Sequence, residues 1–106
     1  QREAPWGVHS RWLSVIHLDP AEVTVSPRDL VRMLAEREIE TRPVWRPMHT
    51  QPLFAGASAI GGAVAERLYS TGLCLPSSSS LSEEDQQRVI EALRAAVAAP
   101  AVSRSR

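Results

Sequence analysis

The run Ile39–Phe54 gathers Arg42, Trp45, Arg46, His49 and Gln51 into sixteen residues that also hold three prolines, Pro43, Pro47 and Pro52. These side chains have the chemistry to hold a sugar phosphate or a nucleotide. An indole offers a flat face for stacking, guanidinium groups pair with phosphate oxygens, and an amide both donates and accepts. A proline ring cannot sit in a helix interior, because it lacks an amide donor and clashes with the preceding turn. Flexible linkers are rich in Gly and Ser and poor in aromatic residues. The run therefore reads as a stiff, extended surface loop whose prolines reduce the entropy lost on ordering. A second reading, that Trp45, Leu53 and Phe54 merely anchor the loop on the core, stands beside it with equal weight.

Other chemistries find little support. His9, His17 and His49 are the only histidines and Cys74 the only cysteine, with no spacing that matches a zinc or iron site. Cys74, between Leu73 and Leu75, reads as a small buried hydrophobe rather than a reactive thiol. His17 lies close to Asp19, and a hydrogen-bonded structural histidine is the simpler account than a catalytic pair. Glu83, Glu84 and Asp85 resemble paired carboxylates but fall where a first helical turn is expected. No nucleophile turn of the Gly-x-Ser-x-Gly type occurs. All twelve Lys-plus-Arg positions are arginine, so the chain cannot form an internal lysine Schiff base. The formal net charge is zero, which gives no electrostatic footprint for nucleic acid or an anionic membrane. No apolar run approaches the roughly 20 residues of a membrane span, and a cytoplasmic setting is the default expectation. The first residue is Gln1 rather than Met, as expected of a processed product or a piece of a longer protein.

The elements that must position these residues follow from periodicity and caps. A chain of 106 residues fits one domain with a modest core. Residues 1–10 read as an irregular opening segment, 11–98 as the folded domain and 99–106 as a flexible tail. Arg11–Leu18 alternates as a strand, with Trp12, Ser14, Ile16 and Leu18 on one face and Leu13, Val15 and His17 on the other. Both faces are largely apolar, so cover on both sides is expected. Ser26-Pro27-Arg28-Asp29 is a helix start, with a capping serine, a proline at the first position and an acid three residues on. Leu30, Met33, Leu34 and the stem of Arg37 form its inward stripe, and it should end near Glu38. Pro43 confines any strand over Thr41–Trp45 to an edge or its own beginning. Ala63–Thr71 reads as a second helix, closed by Gly72 just past its C-cap. Leu73–Leu75 makes a short buried strand, and Ser77–Ser80 a solvated turn. Ser82 with Asp85 repeats the capping pattern, and Val89, Ile90, Leu93 and Val97 mark one face of a last helix. The order predicts an α+β (or α/β) fold: a small sheet of two to three short strands flanked by three helices.

The ordered set of motifs also carries a resemblance. Arg28–Leu34, then Ile39-Glu40-Thr41-Arg42-Pro43-Val44-Trp45 and Pro47-Met48-His49, resemble the carboxy-terminal region of DegT-type nucleotide-sugar aminotransferases. Gln51–Phe54, Ala65-Glu66-Arg67-Leu68, Gly72–Ser77 and the helix from Leu81 to Ile90 continue it, so the likeness spans Trp12 to Leu93. It implies the small domain of an enzyme of the aspartate-aminotransferase fold, which uses pyridoxal phosphate to move an amino group from glutamate to a nucleotide-linked keto-sugar. The variant ending Leu-Cys-Leu-Pro-Ser resembles members that serve polysaccharide or glycan biosynthesis. In such enzymes the Schiff-base lysine and most cofactor contacts belong to a large domain missing here. This chain is thus expected to bind no cofactor covalently and not to be catalytic alone. The resemblance implies that Trp45 and His49, with Arg46 and Gln51 as lesser candidates, touch the substrate. It also implies a homodimer for the full-length enzyme. Trp45 stands where relatives often carry tyrosine. The alternative from another class is a stand-alone sugar-nucleotide-binding or protein-interaction module derived from that domain.

Overall fold

The computed structural model describes residues 3–98. The expected tail at 99–106 lies outside the described residues, as do the first two positions. Three helices and a small antiparallel sheet make up the fold. Strand β1 is Ser14–His17, helix α1 is Pro27–Ala35, β2 is Arg42–Pro43, α2 is Ala63–Thr71, β3 is Gly72–Leu75 and α3 is Glu83–Ala98. The α+β architecture expected from the sequence is the one observed.

The sheet runs in the order β1-β3-β2, with β3 in the centre and both neighbours antiparallel to it. Ile16 pairs with Leu73 and Val15 with Cys74, while Arg42 and Pro43 pair with Cys74 and Leu73. Antiparallel partners share a face, so Ile16 and Leu73 turn together toward the helices. Pro43 sits on an edge strand, where a missing amide donor costs no ladder bond. β1 is shorter than the alternation implied and is also an edge. Ser14 and His17 are exposed, so this strand is not covered on both sides as expected.

The core lies on one face of the sheet. Leu30, Leu34 and Leu73 are fully buried, with Leu18, Ile39, Val89, Ala92 and Ala96 around them. Full burial of a leucine is worth about 1.5–3 kcal/mol. Helix α1 packs against α3, and the small side chains of Ala92 and Ala96 allow that approach. This overturns part of the expected stripe on α3: Val89, Leu93 and Val97 belong to the core, but Ile90 does not join it. Arg37 is likewise exposed instead of lending its stem to the inward face of α1.

Both predicted capping serines act as caps. Ser26 Oγ accepts from the Asp29 amide at 3.2 Å and donates to Asp29 Oδ2 at 2.7 Å. Ser82 repeats the arrangement with Asp85, at 3.0 and 2.8 Å. The exit from α1 is made by Glu38, whose φ of 58° is left-handed. The Glu38 amide reaches Ala35 O and the Ile39 amide reaches Leu34 O, at 2.9 and 3.0 Å. That is the Schellman pattern, with a glutamate in the place glycine usually takes. The chain therefore turns at the residue where the helix was expected to end, and Ile39 is delivered into the core beside Leu34.

Gly72 does not close α2 in the left-handed conformation that a C-cap glycine implies. Its backbone is extended, with φ −90° and ψ 144°, and it opens β3. Glycine is needed there for space: a Cβ would lie 2.4 Å from Val44 Cγ2 and 2.5 Å from Leu68 O. Helix α2 itself buries none of its residues. Val64, Leu68 and Tyr69 are exposed on it, and Leu53 and Ile60 are exposed in the segment before it.

Candidate functional site

Two short 3₁₀ turns, Met48–Thr50 and Pro52–Phe54, fold the proline run, which is thus not the extended segment its composition implied. Pro47 precedes the first turn and Pro52 opens the second, positions where a fixed φ helps and no donor is missed. The loop then bonds to itself. Thr50 Oγ1 donates to Pro47 O at 2.8 Å and accepts from Arg46 Nε at 3.2 Å. Gln51 Nε2 donates to Arg46 O at 3.2 Å. Arg46 and Gln51, both expected to meet a ligand, are in this state engaged in holding the loop.

Trp45 takes a different course. It is 62% exposed and leans on Trp12, itself 70% exposed, with ring centroids 5.6 Å apart and planes tilted by 37°. The two indoles form one wall of a groove of about 620 Å³. Leu75, Pro76, Ser77 and Ser78 line it from the sheet side, and Asp85, Arg88 and Val89 from α3. Ser77 Oγ donates to Trp12 O at 3.1 Å, which fixes the start of the serine turn to the segment just before β1 that carries one of the indoles. The groove is electrostatically mixed. Arg42 is held by Glu40 Oε1, at 2.9 Å from Nε and 2.6 Å from Nη2, while Arg88 Nη2 donates to Arg37 O at 2.8 Å. Such exposed ion pairs contribute little to stability, so the Arg42 guanidinium is readily exchanged to another anion.

Thr41 and Cys74 also lie at the groove. Among the described residues, Thr41 Oγ1 is the buried side-chain polar atom with no partner. Cys74 is buried in the central strand, and desolvation pushes its thiol above the usual 9.0. A thiol kept protonated is a poor nucleophile, in line with its reading as a small hydrophobe.

His49 lies apart from this groove and faces α2. Its Nε2 is 2.7 Å from Glu66 Oε1, and the ring is about three-quarters covered, with 28% side-chain exposure. Gly62, at the start of α2 with φ 112°, leaves room for that pair. Of the four candidate residues, then, Trp45 faces the groove, His49 ties the loop to α2, and Arg46 and Gln51 hold the loop together. Two residues that sequence reasoning passed over complete these sets, Trp12 and Glu66. Both partnerships join positions far apart in the chain, which no local spacing reveals, although the scarcity of aromatic residues was a signal for Trp12. His17 meets Thr71 Oγ1 at 3.3 Å while Asp19 accepts from the Ala21 amide at 2.9 Å, so the two have different structural partners. Among the described residues no group of three or more His, Cys, Asp or Glu side chains is placed to hold a metal ion. No helix among them is long and apolar enough to cross a membrane.

The profile of the DegT/DnrJ/EryC1/StrS aminotransferase family matches residues 1–94. The chain is 48% identical over 91 residues to the Bacillus subtilis (strain 168) protein named "Putative pyridoxal phosphate-dependent aminotransferase EpsN", covering 82% of this chain and 23% of that protein. It is 34% identical over 87 residues to the GDP-perosamine synthase of Caulobacter vibrioides, covering 82% of this chain and 23% of the synthase. A crystal structure of a DegT DnrJ EryC1 StrS aminotransferase from Brucella abortus superposes with a TM-score of 0.71 at 28% identity, covering 92% of this chain and 26% of that one. The chain thus spans about a quarter of the length of the relatives it matches.

Proposed function

The chain belongs to the DegT/DnrJ/EryC1/StrS aminotransferase family, and from that premise we propose that it is the small-domain portion of a pyridoxal-phosphate-dependent sugar aminotransferase. The reaction proposed for the whole enzyme moves an amino group from glutamate to a nucleotide-linked keto-sugar. The observation that carries this reading is the family match over residues 1–94, beside matches of 91 and 87 residues to proteins about four times as long.

This chain contains no lysine, so it offers no amine for the cofactor's covalent attachment, and no step at the cofactor is assigned to its residues. What its residues supply is binding and orientation. The Trp12–Trp45 wall is a stacking face for a base or a sugar ring. Arg42, released from Glu40, supplies a guanidinium for phosphate. The 3₁₀ turns, knit by Arg46, Thr50 and Gln51, keep Trp45 and His49 in place as the lip of the site.

The uncovered surface supports a larger assembly. Trp6, Val8, Leu53, Ile60 and Val64 are exposed, and the matched relatives are about four times as long as this chain. The large domain and a second subunit of a homodimer are the proposed partners. In the intact enzyme, Trp45→Ala should raise KM for the sugar nucleotide roughly tenfold, the scale of one lost stacking ring. KM for glutamate should stay near the wild-type value. An unchanged KM for the sugar nucleotide would contradict the assignment of this loop to the substrate.

A further inference from the structure

We infer that Glu66 is a positioning residue for His49, fixing which ring nitrogen the loop presents to the sugar nucleotide. The inference rests on the reading above that this loop borders the substrate. An ionised carboxylate only accepts hydrogen bonds, and a neutral imidazole has one donor and one acceptor nitrogen. With Nε2 at 2.7 Å from Glu66 Oε1, the proton of the neutral ring belongs on Nε2 and the lone pair on Nδ1. Among the described residues Nδ1 has no side-chain partner. It is therefore an acceptor, suited to a ring hydroxyl of the sugar rather than to a phosphate oxygen, which would need a donor.

The surroundings are shaped for this pair. The Glu66 amide donates to Gly62 O at 2.9 Å, which seats Glu66 in the first turn of α2. A Cβ at Gly62 would fall 2.9 Å from both Cε1 and Nε2 of His49 and 3.5 Å from Glu66 Oε1. Glycine at that position thus keeps the ring against the carboxylate, and its φ of 112° suits no larger residue. The bond joins positions seventeen apart, from the proline loop to a helix that buries none of its residues. Glu66 is 55% exposed as a side chain, so its replacement leaves the core untouched.

The test is nitrogen NMR of the intact protein labelled with ¹⁵N at histidine, at alkaline pH. The His49 signals are identified by their loss in His49→Gln. Nε2 should carry the proton, protected from exchange with water. Glu66→Gln should preserve both features, since an amide oxygen accepts the same bond. Glu66→Ala should speed exchange of that proton about five- to tenfold, the scale of one hydrogen bond. A proton on Nδ1 in the wild type, or exchange unchanged by Glu66→Ala, would overturn the assignment. Titration with GDP-mannose and with UDP-glucose, as probes of the nucleotide-sugar class, separates this from the functional reading. Either probe should move the Nδ1 resonance. No movement with either would overturn the substrate role of the loop while leaving the Nε2 result as it stands.

Discussion

Gly72 shows how one hydrogen atom in place of a side chain holds several elements together. It opens the central strand while α2 ends against it, and a methyl group there meets Val44 at 2.4 Å and the Leu68 carbonyl at 2.5 Å. The carbonyl is backbone and cannot swing aside. Gly72→Ala is expected to destabilise the chain by about 1–3 kcal/mol, as overpacking does, and denaturant unfolding measures it. A change below the error of that measurement would show that Val44 and the end of α2 are looser than described. The position was legible as glycine in the sequence, but for the wrong reason. A helix followed by glycine signals a left-handed cap, and only the packing shows that space is what demands it. Trp45 and His49 have a similar history. Their residue types marked them as binding groups, yet their partners Trp12 and Glu66 come from elements that no local pattern connects to the loop.

At the scale of elements, α1 was readable from both its ends. Ser26, Pro27 and Asp29 announce its start, and Leu30 with Leu34 gives its buried face. Its exit uses Glu38 at φ 58°, where a residue with a Cβ costs about 1–2 kcal/mol in the left-handed region. Glycine relieves that cost but adds freedom to the unfolded chain. Glu38→Gly should therefore stabilise by about 0.5–1 kcal/mol, read as a higher denaturant midpoint with unchanged slope. A lower midpoint would mean that the glutamate side chain contributes more than its backbone costs. The α3 stripe was less legible, because alanine signals neither face by its hydrophobicity. Ala92 and Ala96 are buried through the closeness of α1, a tertiary fact. The proline loop departs from the expected extended shape for a related reason. Proline forbids helix interiors but favours first turns, and Pro52 starts one.

Over the whole molecule, the chain exposes 8705 Å², where a compact protein of its mass exposes about 5,800 Å². Its radius of gyration is 16.1 Å against about 13 Å for a compact chain of this length. A small core of leucines, valines and alanines holds the sheet to α1 and α3, while α2 and the loop before it stand away from that core. A nine-residue helix that buries nothing is marginal in water on its own. Such a shape supports the reading of a domain completed by further polypeptide, one that contributes a wall to a site and leaves the reaction to residues elsewhere. The lack of lysine in this chain fits the same reading. The most direct measurement is release of 2-oxoglutarate when the 106-residue chain is mixed with pyridoxal phosphate, glutamate and a keto-sugar nucleotide, beside the intact enzyme under the same conditions. The intact enzyme should release it in step with amination of the sugar, and the chain alone should release none. Turnover by the chain alone would contradict the account.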